Sequence, residues 1–244
     1  MRFSICIPSL NEEKYIDKLL NCLVRQTFKD YEVIVSDGKS EDNTRGIVSG
    51  FKDKLNIKFM DSPKRGVSFQ RNYAAKNSSG DYVIFFDADV QISDDFLERI
   101  NKFIEKRGVD VLTSWNRPLS SRLDDKFLFF LYNIVCLELV KKIAPGAVGV
   151  FICVRRSSFE RIEGFKEDIS FAEDYELVRR LHKNGFKYAL LKSPPIEVSV
   201  RRLEKEGRLH MVAKTLKTAV YYLLFGNNFA EKLKGKIIHE SGKF

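Results

Sequence analysis

Tyr82-Val83-Ile84-Phe85-Phe86-Asp87-Ala88-Asp89-Val90-Gln91 is the stretch whose reading decides the fold. Val83 to Phe86 form a short, unbroken apolar run of β-branched and aromatic residues, cut off by two carboxylates one residue apart. An apolar run without alternation reads as a strand buried on both faces, and such strands belong to parallel sheets covered by helices. Open sheets of this kind bind ligands beyond the carboxyl ends of their strands. Asp87 and Asp89 stand at that end.

Working outward, the first half alternates short strands with longer helical patterns, the signature of βαβ units. The patterns predict strands over residues 3–8, 32–36, 57–60, 82–86 and 110–114, and helices over 12–25, 43–52, 67–76 and 94–106. In the first helix Ile16, Leu19, Leu20 and Leu23 recur at one face, with Asn11 as its cap and Glu12 and Glu13 at its positive end. Further on, a long apolar stretch reaches Val140 and a Gly-rich segment spans 145–149. A strand at 150–154, a helix at 173–182, strands at 188–192 and 196–200 and a helical pattern from 206 onward complete the chain. The expected fold is α/β, a mostly parallel central sheet with flanking helices and a helical C-terminal extension. Residues 1–205 read as one domain, its nucleotide-binding half at about 1–115 and its acceptor half at about 116–205, and 206–244 as an amphipathic extension.

With 244 residues, 44% hydrophobic and 31% charged, the chain can bury a sizeable core, which excludes disordered and fibrous classes. A net charge of +9 suits an anionic partner: a nucleotide diphosphate, nucleic acid or an anionic membrane. The four cysteines are far apart and read as apolar filler in a reducing compartment. His182, His210 and His239 lie on separate segments, so a zinc site is not expected and any metal should have oxygen ligands. No signal-peptide pattern follows Met1, and no apolar run suffices for a membrane span, which points to a cytoplasmic protein.

Polar residues fall where the first, second and fourth strands stop: Pro8-Ser9-Leu10-Asn11-Glu12-Glu13, Asp37-Gly38-Lys39-Ser40 and Asp87-Ala88-Asp89-Val90-Gln91. Two carboxylates leaving one strand can both approach a hard divalent cation, which in turn neutralises diphosphate oxygens. Gln91 can add a neutral oxygen. Read alone, Asp87 and Asp89 are a turn and cap; the company of the other strand ends favours the site. Asp37 can accept from a base N–H or a ribose hydroxyl, and Arg71, on a helix opened by Lys64-Arg65-Gly66, can donate toward a nucleotide or lie on a solvated face. Arg201 and Arg202, in a basic segment running to Arg208, can bring cations to a diphosphate or form a solvated loop. Trp115 is a candidate acceptor contact. Tyr221, Tyr222 and Phe225 among lysines read as a membrane-surface segment or as a helix packed on the core.

The ordered series formed by the strand ends, Gln26-Thr27-Phe28, Ser40-Glu41-Asp42-Asn43-Thr44, Gln70-Arg71-Asn72, Asp87-Ala88-Asp89, Gly149-Val150-Phe151, Gly164-Phe165 and Glu173-Asp174-Tyr175 resembles glycosyltransferase family 2 over roughly residues 1–200. The resemblance implies a GT-A-type fold, a nucleoside-diphosphate sugar donor, Mg2+ or Mn2+, and inversion at the anomeric carbon. It places Pro8, Ser9, Glu12 and Asp37 around the nucleoside, Asp87 and Asp89 at ribose, diphosphate and metal, and Asp174 of the Glu173-Asp174 pair as general base. The expected acceptor is a hydroxyl on a cell-surface or lipid-linked glycan; the aromatic and lysine residues from 214 to 236 suggest peripheral contact with the inner face of the membrane, and no nucleic-acid partner is expected. Ser36 departs from the pattern where many relatives carry a second acid. Asp87 to Gln91 also resembles polyprenol-phosphate sugar synthases, which generally lack a Glu-Asp pair like this one. A nucleotidyltransferase would need a Gly-rich, Arg-containing loop where Pro8–Glu13 stands. An inactive basic binding protein would not need intact carboxylates at 87, 89 and 174. Oligomeric state has no signature in the sequence.

Overall fold

The structure, a computed structural model, describes residues 2–139, 141, 145–146, 149–169, 172–208 and 210. In chain order the elements are β1 Phe3–Ser9, α1 Ile16–Arg25, β2 Tyr31–Asp37, α2 Thr44–Ser49, β3 Ile57–Asp61, α3 Val67–Lys76, β4 Tyr82–Phe86, β5 Val90–Gln91 and α4 Phe96–Arg107. There follow β6 Val111–Pro118, α5 Leu123–Tyr132, a π-helical continuation Asn133–Leu139, β7 Phe151–Arg155, α6 Arg156–Arg161, α7 Glu173–Lys183, β8 Tyr188–Val198 and α8 Arg201–Glu206.

The strands form one sheet in the order β3-β2-β1-β4-β7-β6-β8-β5. From β3 to β4 it is parallel, as the βαβ pattern predicts. Beyond β4 the direction reverses: β7 is antiparallel to β4 and to β6, while β6 and β8 run parallel. Alternation along the strands divides the core into two layers. Ile5, Ile7, Val33, Val35, Ile84 and Phe86 face α1 and α4, whereas Cys6, Ile34, Val83 and Phe85 face α3 and α7. Ile16, Leu19, Leu20 and Leu23 of α1 are fully buried. Each contributes about 2 kcal/mol of apolar burial, an upper figure because unfolded chains are partly compact.

Several boundaries differ from the sequence reading for identifiable reasons. Helix α1 begins four residues late because the N–H groups of Asn11, Glu12 and Glu13 donate to Ser40 Oγ, Thr44 Oγ1 and Asp42 Oδ2, with Asn11 at φ 56°. These are the donors that a helix start there would have had to cap. The strands expected at 188–192 and 196–200 are one strand, β8, running through Ser193-Pro194-Pro195. The apolar stretch before Val140 is helical, and Asn133 ties it to β6 by accepting from Asn116 N at 3.0 Å and donating to Asn116 O at 2.8 Å. The basic segment at 201 is a short helix rather than a loop. The amphipathic pattern beyond His210, with its aromatic and lysine residues, lies outside the described residues. Cys6, Cys22 and Cys153 are buried, and all four cysteines are free thiols. No helix among the described residues is long and apolar enough to cross a membrane.

Candidate active site

The parallel register aligns Ser9 at the end of β1 with Asp37 at the end of β2. Asp37 is buried, and its carboxylate accepts from Ser9 Oγ at 2.8 Å, Ser40 Oγ at 2.6 Å and Ser40 N at 2.7 Å. Those bonds fix a carboxylate edge at the rim while leaving acceptor capacity, since two carboxylate oxygens hold about four lone-pair sites. Pro8 lies beside Ser36 on the same strands. Buried Gln70 on α3 donates from Nε2 to both Ser9 O and Ser36 O at 2.8 Å, bracing the two strand ends. In the sequence Gln70 stands out only as part of the Gln70-Arg71-Asn72 motif. Its signal was a polar residue on the inward face of a helix.

A second group centres on Arg71, whose side chain is 1% exposed. Nη2 donates to Asp87 Oδ1 at 2.7 Å and to Gly149 O at 2.9 Å, and Nη1 donates to Glu173 Oε1 at 3.0 Å. Its guanidinium also lies 5.3 Å from the Phe165 ring centroid. Both terminal nitrogens are thus engaged by the protein, so Arg71 joins β4 to α7 and does not extend toward a nucleotide. Asp174, next to Glu173 in the first turn of α7, is half-buried. Burial and the neighbouring Glu173 carboxylate push its pKa up to about 7, against the lowering effect of Arg71. Gly149 makes the close approach: a Cβ there would sit 3.1 Å from Arg71 Nη2 and 3.4 Å from Asp174 Oδ2. Behind α7, Tyr175 and Tyr132 share a 2.6 Å hydroxyl hydrogen bond.

The third group is assembled from the two ends of the chain. Arg201 of α8 forms a bidentate pair with Glu12 at 2.7 and 2.8 Å, and its Nε lies 2.9 Å from Asp89 Oδ2. The guanidinium stacks over Tyr15 with 4.4 Å to the ring centroid. Burial raises the carboxyl pKa of both Glu12 and Asp89, partly offset by Arg201. Arg202 makes no ion pair with either carboxylate among the described residues, yet its field lowers the pKa of Asp89. Asp89, Gln91, Ser199 and Arg201 line a cleft of about 250 Å³ with Tyr15, Lys18 and Glu204.

These residues fit a divalent cation of the hard, oxygen-preferring kind. Arg71 holds Asp87 through Oδ1 and Arg201 holds Asp89 through Oδ2, so each carboxylate keeps one oxygen without an ion pair among the described residues. Gln91 is on the same cleft wall as Asp89. No three acidic, histidine or cysteine side chains converge among the described residues. A cation here would therefore draw most of its ligands from phosphate oxygens and water, as Mg2+ usually does. Trp115 is on β6 with Lys192 Nζ 5.3 Å from its ring centroid, and its Nε1 is buried without a partner. No hydrogen bond joins it to the carboxylate groups among the described residues.

Residues 4–163 match the sequence profile described as Glycosyl transferase family 2. The chain belongs to glycosyl transferase family 2. Among members of the family it is 39% identical over 210 residues to poly(ribitol-phosphate) beta-N-acetylglucosaminyltransferase TarS of Staphylococcus aureus, covering 83% of this chain and 36% of TarS. It is 30% identical over 193 residues to succinoglycan biosynthesis protein ExoA of Rhizobium meliloti, covering 75% of this chain and 58% of ExoA. The chain thus spans roughly a third to three-fifths of these curated relatives. TarS residues 1–349 in complex with UDP superpose with a TM-score of 0.68 at 28% identity, over 82% of this chain and 61% of that one. Mannosyltransferase PcManGT from Pyrobaculum calidifontis, in complex with GDP-Man and Mn2+, has a TM-score of 0.69 at 23% identity, over 82% of this chain and 57% of that one, a likeness of fold. The expected family and GT-A-type α/β fold are both borne out.

Proposed function

We propose that this chain transfers a sugar, with inversion, from a nucleoside-diphosphate sugar to a hydroxyl of a cell-surface or lipid-linked glycan. One observation carries the reading. Asp174, with its raised pKa, directly follows Glu173, and one guanidinium, Arg71, holds Glu173 at 3.0 Å and Asp87 of the strand end at 2.7 Å. A carboxylate near neutrality can take a proton as it is released, and one end of a strand can hold the departing diphosphate.

In this account Ser9, Asp37 and Glu12 line the nucleoside side. Asp87, Asp89 and Gln91 would hold Mg2+ or Mn2+, which supplies positive charge to the leaving diphosphate when bound. Arg201, more exposed than Arg71 and exchanging its pairs with Glu12 and Asp89 for the phosphates once the donor is bound, and Arg202 bring positive charge from α8. The acceptor oxygen attacks the anomeric carbon as the bond from that carbon to the phosphate oxygen breaks. The hydroxyl proton passes to Asp174, and the nucleoside diphosphate leaves with the bonding pair. One displacement at one carbon inverts it. The relatives' names, with poly(ribitol-phosphate) and succinoglycan among them, support a glycan acceptor.

The test separates binding from chemistry. Asp174→Asn is expected to keep metal-dependent donor binding by calorimetry and to lose at least about a hundredfold in transfer. Near-normal turnover in that variant would remove Asp174 as base.

A further inference from the structure

Helix α5 and its π-helical continuation have their polarity inside out. The buried positions include Asp125 and Asn133, while the outward face presents Leu123, Phe127, Phe130, Leu131, Val135 and Leu139. Leu123 is 81% exposed, Phe127 60% and Leu139 67%. Their spacing of about four residues puts them on one stripe of a 17-residue segment, roughly 25 Å long at helical rise. Among the described residues these six are the exposed large hydrophobic side chains, and a contiguous patch of this sort marks a contact surface.

The charges around the stripe say what covers it. Asp124 is paired with Arg122 at 2.6 Å and with Arg208 at 3.6 Å, and Asp125 with Arg208 at 2.7 Å. Glu138 is paired with Lys192 at 3.2 Å and with Lys141. Each acid on the segment is thereby neutralised, whereas exposed Lys126 has no ion-pair partner among the described residues. Lys126 also lines a cleft of about 430 Å³ with Ser120, Ser121 and the ion-paired Arg117 and Glu197. An apolar stripe whose own acids are paired and whose Lys126 ammonium is not complements a sheet of anionic headgroups over acyl chains.

We propose that the outward face of α5 and its continuation is a docking surface for an anionic lipid bilayer. The helix lies in the interface plane, with Phe127 and Phe130 inserted and Lys126 at the headgroups. The six stripe residues include none of those assigned to the donor site, and the inference does not rest on the reading of that site.

The test is co-sedimentation of the full chain with vesicles of phosphatidylcholine alone and of phosphatidylcholine mixed with phosphatidylglycerol. The expected result is binding to the mixed vesicles and at least about a tenfold loss in a Phe127→Ser/Phe130→Ser variant, whose melting temperature and donor binding stay unchanged. In a Phe127→Trp variant, brominated lipid should quench the added fluorescence. Three results overturn the proposal. The wild-type chain does not bind the mixed vesicles; the serine variant binds as well as wild type, which assigns binding to residues 211–244; or the chain is a dimer that the serine variant dissociates, which assigns the face to a second copy.

Discussion

Arg71 and Asp87 form a 2.7 Å ion pair between a guanidinium that is 1% exposed and a carboxylate that is 33% exposed. The same guanidinium holds Glu173 at 3.0 Å, so one buried cation fixes both the strand end and the helix carrying Asp174. Its Nε is buried without a partner, which leaves the two terminal nitrogens to carry the whole connection.

Arg71→Ala should therefore be costly in stability as well as in transfer. It leaves Asp87 and Glu173 without their shared counter-charge, a change worth about 3–5 kcal/mol for buried pairs. Urea denaturation measures it. A loss below about 1 kcal/mol, the range of surface pairs, would contradict the buried brace.

For Asp174 the sign runs against the usual carboxylate. Its folded pKa is raised to about 7, so the native state holds a proton that the unfolded state releases near 4. The group contributes most to stability below its unfolded pKa, and that contribution is lost as pH rises toward 7. Asp174→Asn, which cannot ionise, should be more stable than wild type at pH 8, with the gap closing toward pH 4. Thermal melts across pH check this, and equal stabilities at pH 8 would refute it. Wild-type transfer should rise with pH through the same window.

Gly149→Ala places a methyl group 3.1 Å from Arg71 Nη2 and 3.4 Å from Asp174 Oδ2. The guanidinium must give by a few tenths of an ångström, and the carboxylate is left in van der Waals contact with the new methyl group. Transfer should fall about tenfold, since misplacement of catalytic groups is expensive in rate. Denaturant stability should change by only about 1 kcal/mol. Unchanged kcat would show that the close approach is incidental.

Arg201→Ala is expected to move two affinities in opposite directions. Removing the cation from Glu12 and Asp89 should tighten binding of Mn2+ alone about tenfold, and loss of a charge-assisted contact should weaken donor binding at saturating Mn2+ by a similar factor. Calorimetry reads both. Parallel losses would mean that Arg201 only supports the fold.

The strand at Val83–Phe86 and its carboxylate end were legible because burial on both faces leaves an unbroken apolar run, and local pattern encodes it. The Arg201–Glu12 pair was not, because it links residues 189 apart and no periodicity reports a contact of that range. Ser40, Asp42 and Thr44 are legible only as members of the ordered motif series, and nothing local reports that they hold the backbone of Asn11 to Glu13. Arg71 reads as a donor toward a nucleotide or as part of a solvated face because a single buried Arg on a mixed helix face has no signature until its three acceptors converge. Helix α5 escaped the helical pattern altogether. Its apolar residues face out and Asp125 and Asn133 face in, inverting the contrast on which such patterns depend.

The most direct test of Asp87–Asp89 as the metal and diphosphate site is thermal stabilisation by a panel of nucleotide sugars, UDP-GlcNAc included. Wild type and Asp89→Ala are compared, each in Mn2+ and in EDTA. The account predicts that a nucleotide sugar stabilises wild type in Mn2+ only, and that Asp89→Ala loses the effect. Stabilisation that survives in EDTA, or in Asp89→Ala, would contradict it.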